Sequence, residues 1–242
     1  MLKKVVYDIG HGGTDPGGVA NGLLEKTLNL FVGLEAKRYM LENYEVELML
    51  TREDDRFVSL NDRTRMIREF NPNLCISIHH NAAFNVNARG AEVIHAHYDE
   101  RDDALAELIL DKLMRIGMPI RRSFTRLNQH EQDYYHMIRT IVNDKTKSII
   151  TEGGFLTNLE DVKMLRDENY LRGQAIAICD AAAKILGLNR IKPHWGQENY
   201  DKVKDVLFFS DHDLDNSVTW AQYCTMTVRL LEKLGRTDIL NK

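Results

Sequence analysis

Leu74-Cys75-Ile76-Ser77-Ile78 predicts a buried strand that ends on His79. A short apolar run of this kind is typical of a strand that is covered on both faces of a sheet. Similar runs predict four further strands, at residues 5–9, 46–50, 92–98 and 148–151. Apolar residues at helical spacing predict helices at residues 25–42, 60–69, 103–116, 134–142, 159–166 and 170–186. This alternation predicts an α/β fold with a mixed, mostly parallel sheet and helices on both faces.

Titratable side chains lie at the ends of three predicted strands. His11 follows the first strand in the segment Gly10-His11-Gly12-Gly13, His79 ends the central strand, and Glu152 ends the strand at 148–151. Ligands of open α/β sheets bind where strands run out into loops. We therefore expect these three side chains to lie close together.

Glu25 adds a second carboxylate, at the predicted start of the helix 25–42. Two imidazoles and one carboxylate can hold Zn²⁺ with a fourth position open for water, and another carboxylate can act as the base. Simpler interpretations remain for single residues. A glycine-rich loop can bind phosphate, although the Lys-Ser/Thr ending of a nucleotide loop is missing. An acidic residue in a first helical turn can simply complement the helix dipole.

Two pairs of histidines leave alternatives open. His79 and His80 are adjacent at a strand end, so their side chains point to opposite faces and only one can reach a given site. His95 and His97 are separated by two on a predicted strand, so they would share a face and could bind a metal by themselves. The other histidines in polar context are interpreted as surface residues: His130, His136, His194 and His212.

Composition limits the classes of partner. The 242 residues carry a formal net charge of −4, and the pI is near 6.1, which gives no electrostatic basis for binding nucleic acid or an anionic membrane. One short basic cluster, Arg121, Arg122 and Arg126, departs from this overall charge balance. We interpret it as a solvated or substrate-facing loop. Three widely spaced cysteines do not indicate a disulfide framework. Without a membrane-spanning run or a signal peptide, we expect synthesis in the cytoplasm and no membrane insertion.

The character of the chain changes after Leu188. Residues 189–200 are predicted to be a linker between a domain of residues 1–188 and a small, mainly helical appendage of residues 201–242. A helix is predicted at residues 217–234. So short a segment rarely has a core of its own, so we expect it to dock on the main domain or to pair with a partner. The sequence leaves open whether the chain forms a homo-oligomer.

Five segments, taken in order, resemble the zinc-dependent N-acetylmuramoyl-L-alanine amidases of the type 3 family, which occur in bacterial autolysins, spore-cortex enzymes and phage endolysins. The resemblance covers residues 1–187. The segments are Asp8-Ile9-Gly10-His11-Gly12-Gly13-Thr14-Asp15-Pro16-Gly17, Leu24-Glu25-Lys26, Thr51-Arg52-Glu53-Asp54-Asp55 with Leu60 and Arg63, Ser77-Ile78-His79-His80-Asn81-Ala82, and Thr151-Glu152-Gly153-Gly154-Phe155-Leu156-Thr157-Asn158.

The resemblance implies a specific site and reaction. His11, Glu25 and His79 would be the zinc ligands and Glu152 the catalytic glutamate. The substrate would be peptidoglycan, cut at the amide between the lactyl group of N-acetylmuramic acid and L-alanine. His80 stands where the family often has a small residue, so it could contact substrate. Asn81 or His80 could add a hydrogen bond to the oxyanion.

Alternative functions and the biological setting are also expectations. The alternatives are a zinc peptidase that cuts within the stem peptide and a non-catalytic wall-binding module. A chain without a secretion signal but with a short C-terminal piece looks like a phage endolysin released through a membrane lesion, or else a spore-associated enzyme freed by mother-cell lysis. In the C-terminal part, Trp195, Trp220 and Tyr223 either bind the wall or belong to a core.

Overall fold

The computed structural model describes residues 2–97, 100–143, 145–191 and 228–235. The chain divides into two compact units, Met1–Asn189 and Arg190–Lys242. In the second unit the described residues include a helix at 228–233. The predicted linker and most of the predicted helix at 217–234 lie outside the described residues, as do Trp195, Trp220 and Tyr223.

A six-stranded mixed sheet forms the centre of the first unit. Its strands are β1 (Lys3–Ile9), β4 (Val46–Leu50), β5 (Leu74–Asn81), β6 (Ala91–Ile94), β7 (Ile120–Phe124) and β8 (Lys147–Phe155), while β2 (Val19–Ala20) and β3 (Leu23–Leu24) form a separate two-stranded ribbon. The order in the sheet is β4-β1-β5-β8-β6-β7. All neighbours are parallel except β6 and β8, which are antiparallel. The predicted mixed, mostly parallel sheet is confirmed.

Six helices accompany the sheet: α1 (Glu25–Asn43), α2 (Leu60–Phe70), α3 (Glu100–Arg115), α4 (His136–Ile141), α5 (Leu159–Leu165) and α6 (Glu168–Leu186). The main core lies between one face of the sheet and α1, α3 and α6. On the other face, Val6 and Cys75 pack with residues of α2 and α4. Helices on both faces, as predicted, leave the central strands buried and account for their nearly continuous apolar sequences.

Helix ends follow ordinary capping chemistry. The Ser59 hydroxyl accepts a hydrogen bond from the backbone N–H of Asp62 at the start of α2, and the Asn158 side chain does the same for Glu160 and Asp161 at the start of α5. Gly187 adopts the left-handed conformation just after α6. These caps fix the helix boundaries close to their predicted positions.

Two predictions near the edge of the sheet are wrong. The strand predicted at residues 92–98 ends at Ile94, and the arginine-rich segment read as a loop contains the strand β7. β7 lies at the edge of the sheet and is largely exposed, so charged residues are tolerated and no apolar run marks it. Arg121 and Arg122 therefore lie on a strand, whereas Arg126 lies beyond its end.

None of the helices among the described residues combines the length and apolar character needed to traverse a bilayer. Cys75 and Cys179 are buried free thiols, a common setting for cysteine, which packs as a small apolar residue.

Candidate metal centre

His11 lies in the loop after β1 and has a positive φ of 59°. Its backbone carbonyl accepts a hydrogen bond from Arg63 at 2.7 Å, which holds the loop in this conformation. Its Nδ1 lies 2.8 Å from Asp15 Oδ2, and its Nε2 lies 3.1 Å from Glu25 Oε2. Burial alone would lower the pKa of His11, but the hydrogen bonds to Glu25 and Asp15 outweigh it and raise that pKa.

Glu25 is the first residue of α1, as predicted, and its carboxylate is buried. Oε2 accepts from the backbone N–H of Gly18 at 2.8 Å, and Oε1 lies 2.8 Å from Nδ1 of His79. Burial opposes ionisation of this group, yet the hydrogen bonds from His11 and His79 hold the pKa of Glu25 far below its ordinary value. The carboxylate is therefore a fixed anion between two imidazoles.

His79 lies near the carboxyl end of β5, and its ring meets the ring of His11 edge to face with centroids 5.0 Å apart. His11, Glu25 and His79 each offer a ligand atom, and these atoms all lie within 4.8 Å of one another. In the part of the chain that the structure describes, they are the single group of three or more such residues. Three distant segments are thus brought together as expected.

Two glycines make room for these rings. A Cβ on Gly10 would lie 2.3 Å from the imidazole of His79, and a Cβ on Gly17 would lie 2.5 Å from that of His11. Gly17 also has a positive φ of 66°, which disfavours other residues. The glycine-rich character of this loop therefore reflects close packing around the imidazoles.

The donor set fits Zn²⁺. Two imidazole nitrogens and one carboxylate are a common catalytic zinc set, whose ligand atoms lie about 3.3 Å apart when metal bonds are near 2.0–2.1 Å. The contacts from Glu25 to His11 and His79, at 3.1 and 2.8 Å, need only small adjustments to reach that spacing. Asp15 orients His11 from the opposite ring nitrogen, as carboxylates commonly do for zinc-binding histidines.

Glu152 lies in β8 directly opposite His79 in β5 and opposite Glu92 in β6. Its Oε2 atom is buried and has no hydrogen-bond partner in the described part of the chain. Burial, together with the carboxylates of Glu25 and Glu92, raises the pKa of Glu152 well above its ordinary value. A raised pKa makes a carboxylate a stronger base than an ordinary one, which suits a group that accepts a proton.

His80 is buried on the other side of the strand. Nδ1 lies 2.8 Å from Asn29 Oδ1, and Nε2 lies 3.1 Å from the side-chain amide of Gln174. Burial lowers the pKa of His80 to about 4, so the ring is neutral and its Nε2 needs a donor. The Gln174 amide supplies one when its nitrogen faces the ring, which also satisfies a nitrogen that otherwise has no partner. His80 therefore supports α1 and α6 and does not face His11 and Glu25.

The competing pair does not form a chelating face. His95 and His97 lie beyond the end of β6; His95 is buried beside Asp103, at 2.8 Å, whereas His97 is exposed and contacts Thr125. The prediction that they share a strand face is wrong because the strand is shorter than expected. His136 was predicted to be a surface residue, but it is partly buried, and its Nε2 lies 3.0 Å from Thr64 Oγ1.

A buried polar network beneath the site was not predicted. Asp8 pairs with Arg63 at 2.8 Å and accepts hydrogen bonds from Thr51 and Ser77. Arg52 donates to the carbonyls of Ile9 and Gly10, at the start of the His11 loop. The members of this network all lie in the segments that carry the family resemblance, but two arginines in otherwise polar segments read as surface residues until the fold buries them.

Asn81 was a candidate hydrogen-bond donor to substrate. Its side-chain nitrogen donates to Glu92 at 2.8 Å, and Glu92 also accepts from Arg121 and Arg122. Asn81 therefore belongs to a polar cluster next to Glu152. Glu92 itself was missed because it was treated only as the start of a strand.

Comparison with known proteins places this geometry in context. The family model described as N-acetylmuramoyl-L-alanine amidase matches residues 5–184. The chain is 29% identical over 175 residues to a sporulation-specific N-acetylmuramoyl-L-alanine amidase of Bacillus subtilis, covering 72% of this chain and 64% of that protein. It is 27% identical over 197 residues to the endolysin of Bacillus phage SPP1, covering 78% and 68%. The chain thus spans about two thirds of the length of these relatives.

Among solved structures, the catalytic domain of CwlV, an N-acetylmuramoyl-L-alanine amidase from Bacillus (Paenibacillus) polymyxa var. colistinus, is similar with a TM-score of 0.68. The two are 27% identical, and the match covers 78% of this chain and all of that domain. The α/β fold is therefore shared over the region that contains all four candidate site residues.

Proposed function

The chain belongs to the N-acetylmuramoyl-L-alanine amidase family, and we propose that it hydrolyses the amide between N-acetylmuramic acid and L-alanine in peptidoglycan as a zinc enzyme. His11, Glu25 and His79 would hold the zinc ion, and Glu152 would act as the general base. One observation carries the proposal: ligand atoms of three side chains from distant segments lie within 4.8 Å of one another, and one of the three residues, His79, is paired with Glu152 across neighbouring strands.

Zinc, when bound, supplies Lewis-acid chemistry, because it polarises a carbonyl and lowers the pKa of water to about 7. The protein supplies the rest. Glu152 takes a proton from the attacking water and passes it to the nitrogen of L-alanine as the amide bond breaks. Asp15 keeps Nδ1 of His11 protonated, so that Nε2 can face the ion.

The environment of Glu152 suits this role. A carboxylate of ordinary pKa would be a weak base near neutral pH and a poor source of a proton for the departing amine. The raised pKa of Glu152 improves both steps. Its buried Oε2 has no partner among the described residues, so its hydrogen-bonding capacity is left for a water or substrate atom to satisfy.

The experiment separates metal binding from proton transfer. Glu152→Gln is expected to keep one zinc per chain and to lose activity by about 10²–10⁴-fold, whereas His79→Ala is expected to lose zinc. His97→Ala, at an exposed histidine, is the matched control and keeps both. Full zinc content in His79→Ala, measured by elemental analysis, would refute the ligand assignment.

Product analysis distinguishes the amidase from the alternatives. Digestion of purified peptidoglycan by an amidase releases new N-terminal L-alanine, whereas a peptidase within the stem peptide creates a different new N-terminus. A wall-binding module would bind peptidoglycan without releasing either. The presence of all four chemical residues argues against the wall-binding module, and the match to the amidase family model leads us to expect N-terminal L-alanine.

The biological setting rests on the two relatives. Their names describe a sporulation amidase and a phage endolysin, and we propose that this chain likewise acts on a bacterial cell wall. A fall in turbidity of purified walls on adding the zinc-loaded protein, and none with Glu152→Gln, is the expected result.

A further inference from the structure

A row of four side chains crosses four neighbouring strands. His79 on β5 is paired with Glu152 on β8, Glu152 with Glu92 on β6, and Glu92 with Arg122 on β7. Directly opposite residues project from the same face of a sheet. With strands about 4.8 Å apart, the backbone of Arg122 lies about 10 Å from that of Glu152 and about 14 Å from that of His79. The candidate site therefore continues to the edge of the sheet.

An irregularity in β7 brings a second arginine into this row. Ala91 pairs with Ile120, but the next residue, Glu92, pairs with Arg122, so Arg121 is an additional residue in the strand. Such bulges redirect side chains and are frequent beside active sites. As a result two consecutive arginines reach one carboxylate oxygen: Nε of Arg121 lies 2.8 Å and Nε of Arg122 lies 2.7 Å from Glu92 Oε1.

The cluster has surplus positive charge and unused donors. Glu92 is only 3% exposed, whereas the side chains of Arg121 and Arg122 are 38% and 51% exposed. Within the described residues each arginine hydrogen-bonds through Nε alone, which leaves its two terminal nitrogens as donors without a protein acceptor. Their guanidinium groups lie over the rings of Phe155 and Phe124, at 5.3 and 4.0 Å. One carboxylate against two guanidinium groups leaves a net charge of +1.

We propose that Arg121 and Arg122 form a subsite that binds a free carboxylate of the stem peptide, on the amine side of the scissile bond. This inference rests on the proposed amidase function. The terminal nitrogens of arginine match a carboxylate in a planar, charge-assisted pair. The rings beneath them restrict the guanidinium groups, so that little ordering is needed on binding.

The peptide is the chemically appropriate partner. On the glycan side, the lactyl carboxyl of muramic acid is itself consumed in the amide, whereas the stem peptide carries free carboxylates. About 10 Å separates the backbones of Glu152 and Arg122, and an extended peptide spans about 3.3 Å per residue. Allowing for the reach of an arginine side chain, the recognised carboxylate belongs to the first or second residue after L-alanine.

Two muramoyl peptides test this subsite. They differ only in whether the first two residues after L-alanine carry free carboxylates or primary carboxamides. We expect the protein to cleave the acidic substrate with a kcat/KM about tenfold or more above that of the amide. In Arg121→Gln and Arg122→Gln the ratio of kcat/KM for the acidic substrate to kcat/KM for the amide should fall towards one. Arg38→Gln, an exposed arginine of α1 that pairs with Glu35 and Glu42, should leave it unchanged.

A second variant distinguishes loss of the subsite from failure of the protein to fold. Arg122→Lys keeps a cation beside Glu92 but lacks the planar guanidinium, so it should fold and still show a reduced ratio. A ratio near one in the parent protein, or the parent ratio in folded Arg122→Gln, would overturn the subsite. If neither substrate is cleaved, the proposed function fails. Calorimetry with the acidic stem peptide then tests the subsite by itself. The subsite is supported only if the parent protein binds the peptide and Arg122→Gln does not.

Discussion

Successive side chains of a strand point to opposite faces of the sheet, so only one of two adjacent histidines can reach the candidate site. His79 projects towards Glu25, whereas His80 projects to the opposite face and bonds Asn29 and Gln174. The sequence established that only one could reach the site. It could not say which, because that depends on which face of β5 is covered by polar partners, and those partners lie 51 and 94 residues away.

Asp15 is a residue whose role emerges only from the fold. It lies 2.8 Å from Nδ1 of His11, where it fixes the orientation and the tautomer of a proposed zinc ligand. We predict that Asp15→Ala lowers zinc affinity by about 10–100-fold, measured by competition with a chromophoric chelator. Asp54→Ala removes an exposed carboxylate from a neighbouring loop and should leave the affinity unchanged. Equal affinity in Asp15→Ala and the parent protein would contradict this role.

Gly153 follows the proposed catalytic base and has almost no room for a side chain. A Cβ there would lie 1.8 Å from the amide of Gln174, and the carbonyl of Gly153 accepts a hydrogen bond from Tyr170 at 2.7 Å. We predict that Gly153→Ala destabilises the protein by about 1–3 kcal/mol and lowers kcat, because β8 must shift beside Glu152.

Gly173→Ala is the control for that substitution. Its Cβ would meet only the end of the Ile116 side chain, at 3.1 Å, and alanine favours a helix over glycine. Thermal unfolding and single-turnover rates measure both variants. A Gly153→Ala protein as stable and active as the parent would show that β8 tolerates the displacement.

At the level of elements, the strands with apolar sequences were predictable, including the edge strand β4, and the arginine-rich edge strand β7 was not. The strand at 46–50 was predicted at its observed bounds, and the central strand is only extended, to Asn81. Buried parallel strands are nearly continuous in apolar residues, which is a strong signal. β7 carries exposed arginines instead, and its position depends on pairing with β6. The same edge holds the proposed carboxylate subsite, so the weakest sequence signal falls on a functional element.

The end of β1 and the start of α2 are joined by a buried ion pair. Asp8 and Arg63 lie 2.8 Å apart and both are buried. Burial opposes ionisation of Asp8, but Arg63 outweighs it and lowers the pKa of the carboxyl. A folded-state pKa below the unfolded value of about 3.9 means that this group adds stability above pH 4 or so. The contribution is lost as the pH falls through the folded-state pKa.

Asp8→Asn is predicted to destabilise the protein at neutral pH by about 3–5 kcal/mol, because Arg63 stays buried without its counter-charge. Its free energy of unfolding should also fall less steeply on acidification below pH 4 than that of the parent. Denaturant unfolding at several pH values measures both effects. Asp111→Asn, in an exposed helical pair with Arg115, should change little. If the free energy of unfolding of Asp8→Asn fell as steeply on acidification as that of the parent, the contribution of ionised Asp8 to stability would be refuted.

At the level of the whole molecule, the apolar core and the proposed metal are separate sources of stability. The core extends across the sheet and three helices without involving the site. Glu25 is also partnered by two imidazoles, so removal of a metal leaves it hydrogen-bonded. We predict that chelation lowers Tm without unfolding the protein, and that zinc at 100 times its Kd restores about 2.7 kcal/mol. Unfolding on chelation at 25 °C, seen by circular dichroism, would contradict this prediction.

The first unit, Met1–Asn189, should fold and act without the rest of the chain. It contains all four proposed site residues and the main hydrophobic core. Its last residue is held by the chain itself, since the carbonyl of Asn189 accepts a hydrogen bond from Glu45 at 2.9 Å. We predict that truncation after Asn189 preserves zinc content and kcat/KM on a soluble muramoyl peptide. Sedimentation with purified walls then tests whether the C-terminal aromatic residues bind the wall. Weaker binding by the truncated protein would support wall binding by this segment, and equal binding would exclude it. Loss of activity on the soluble substrate would show that residues 190–242 complete the catalytic unit.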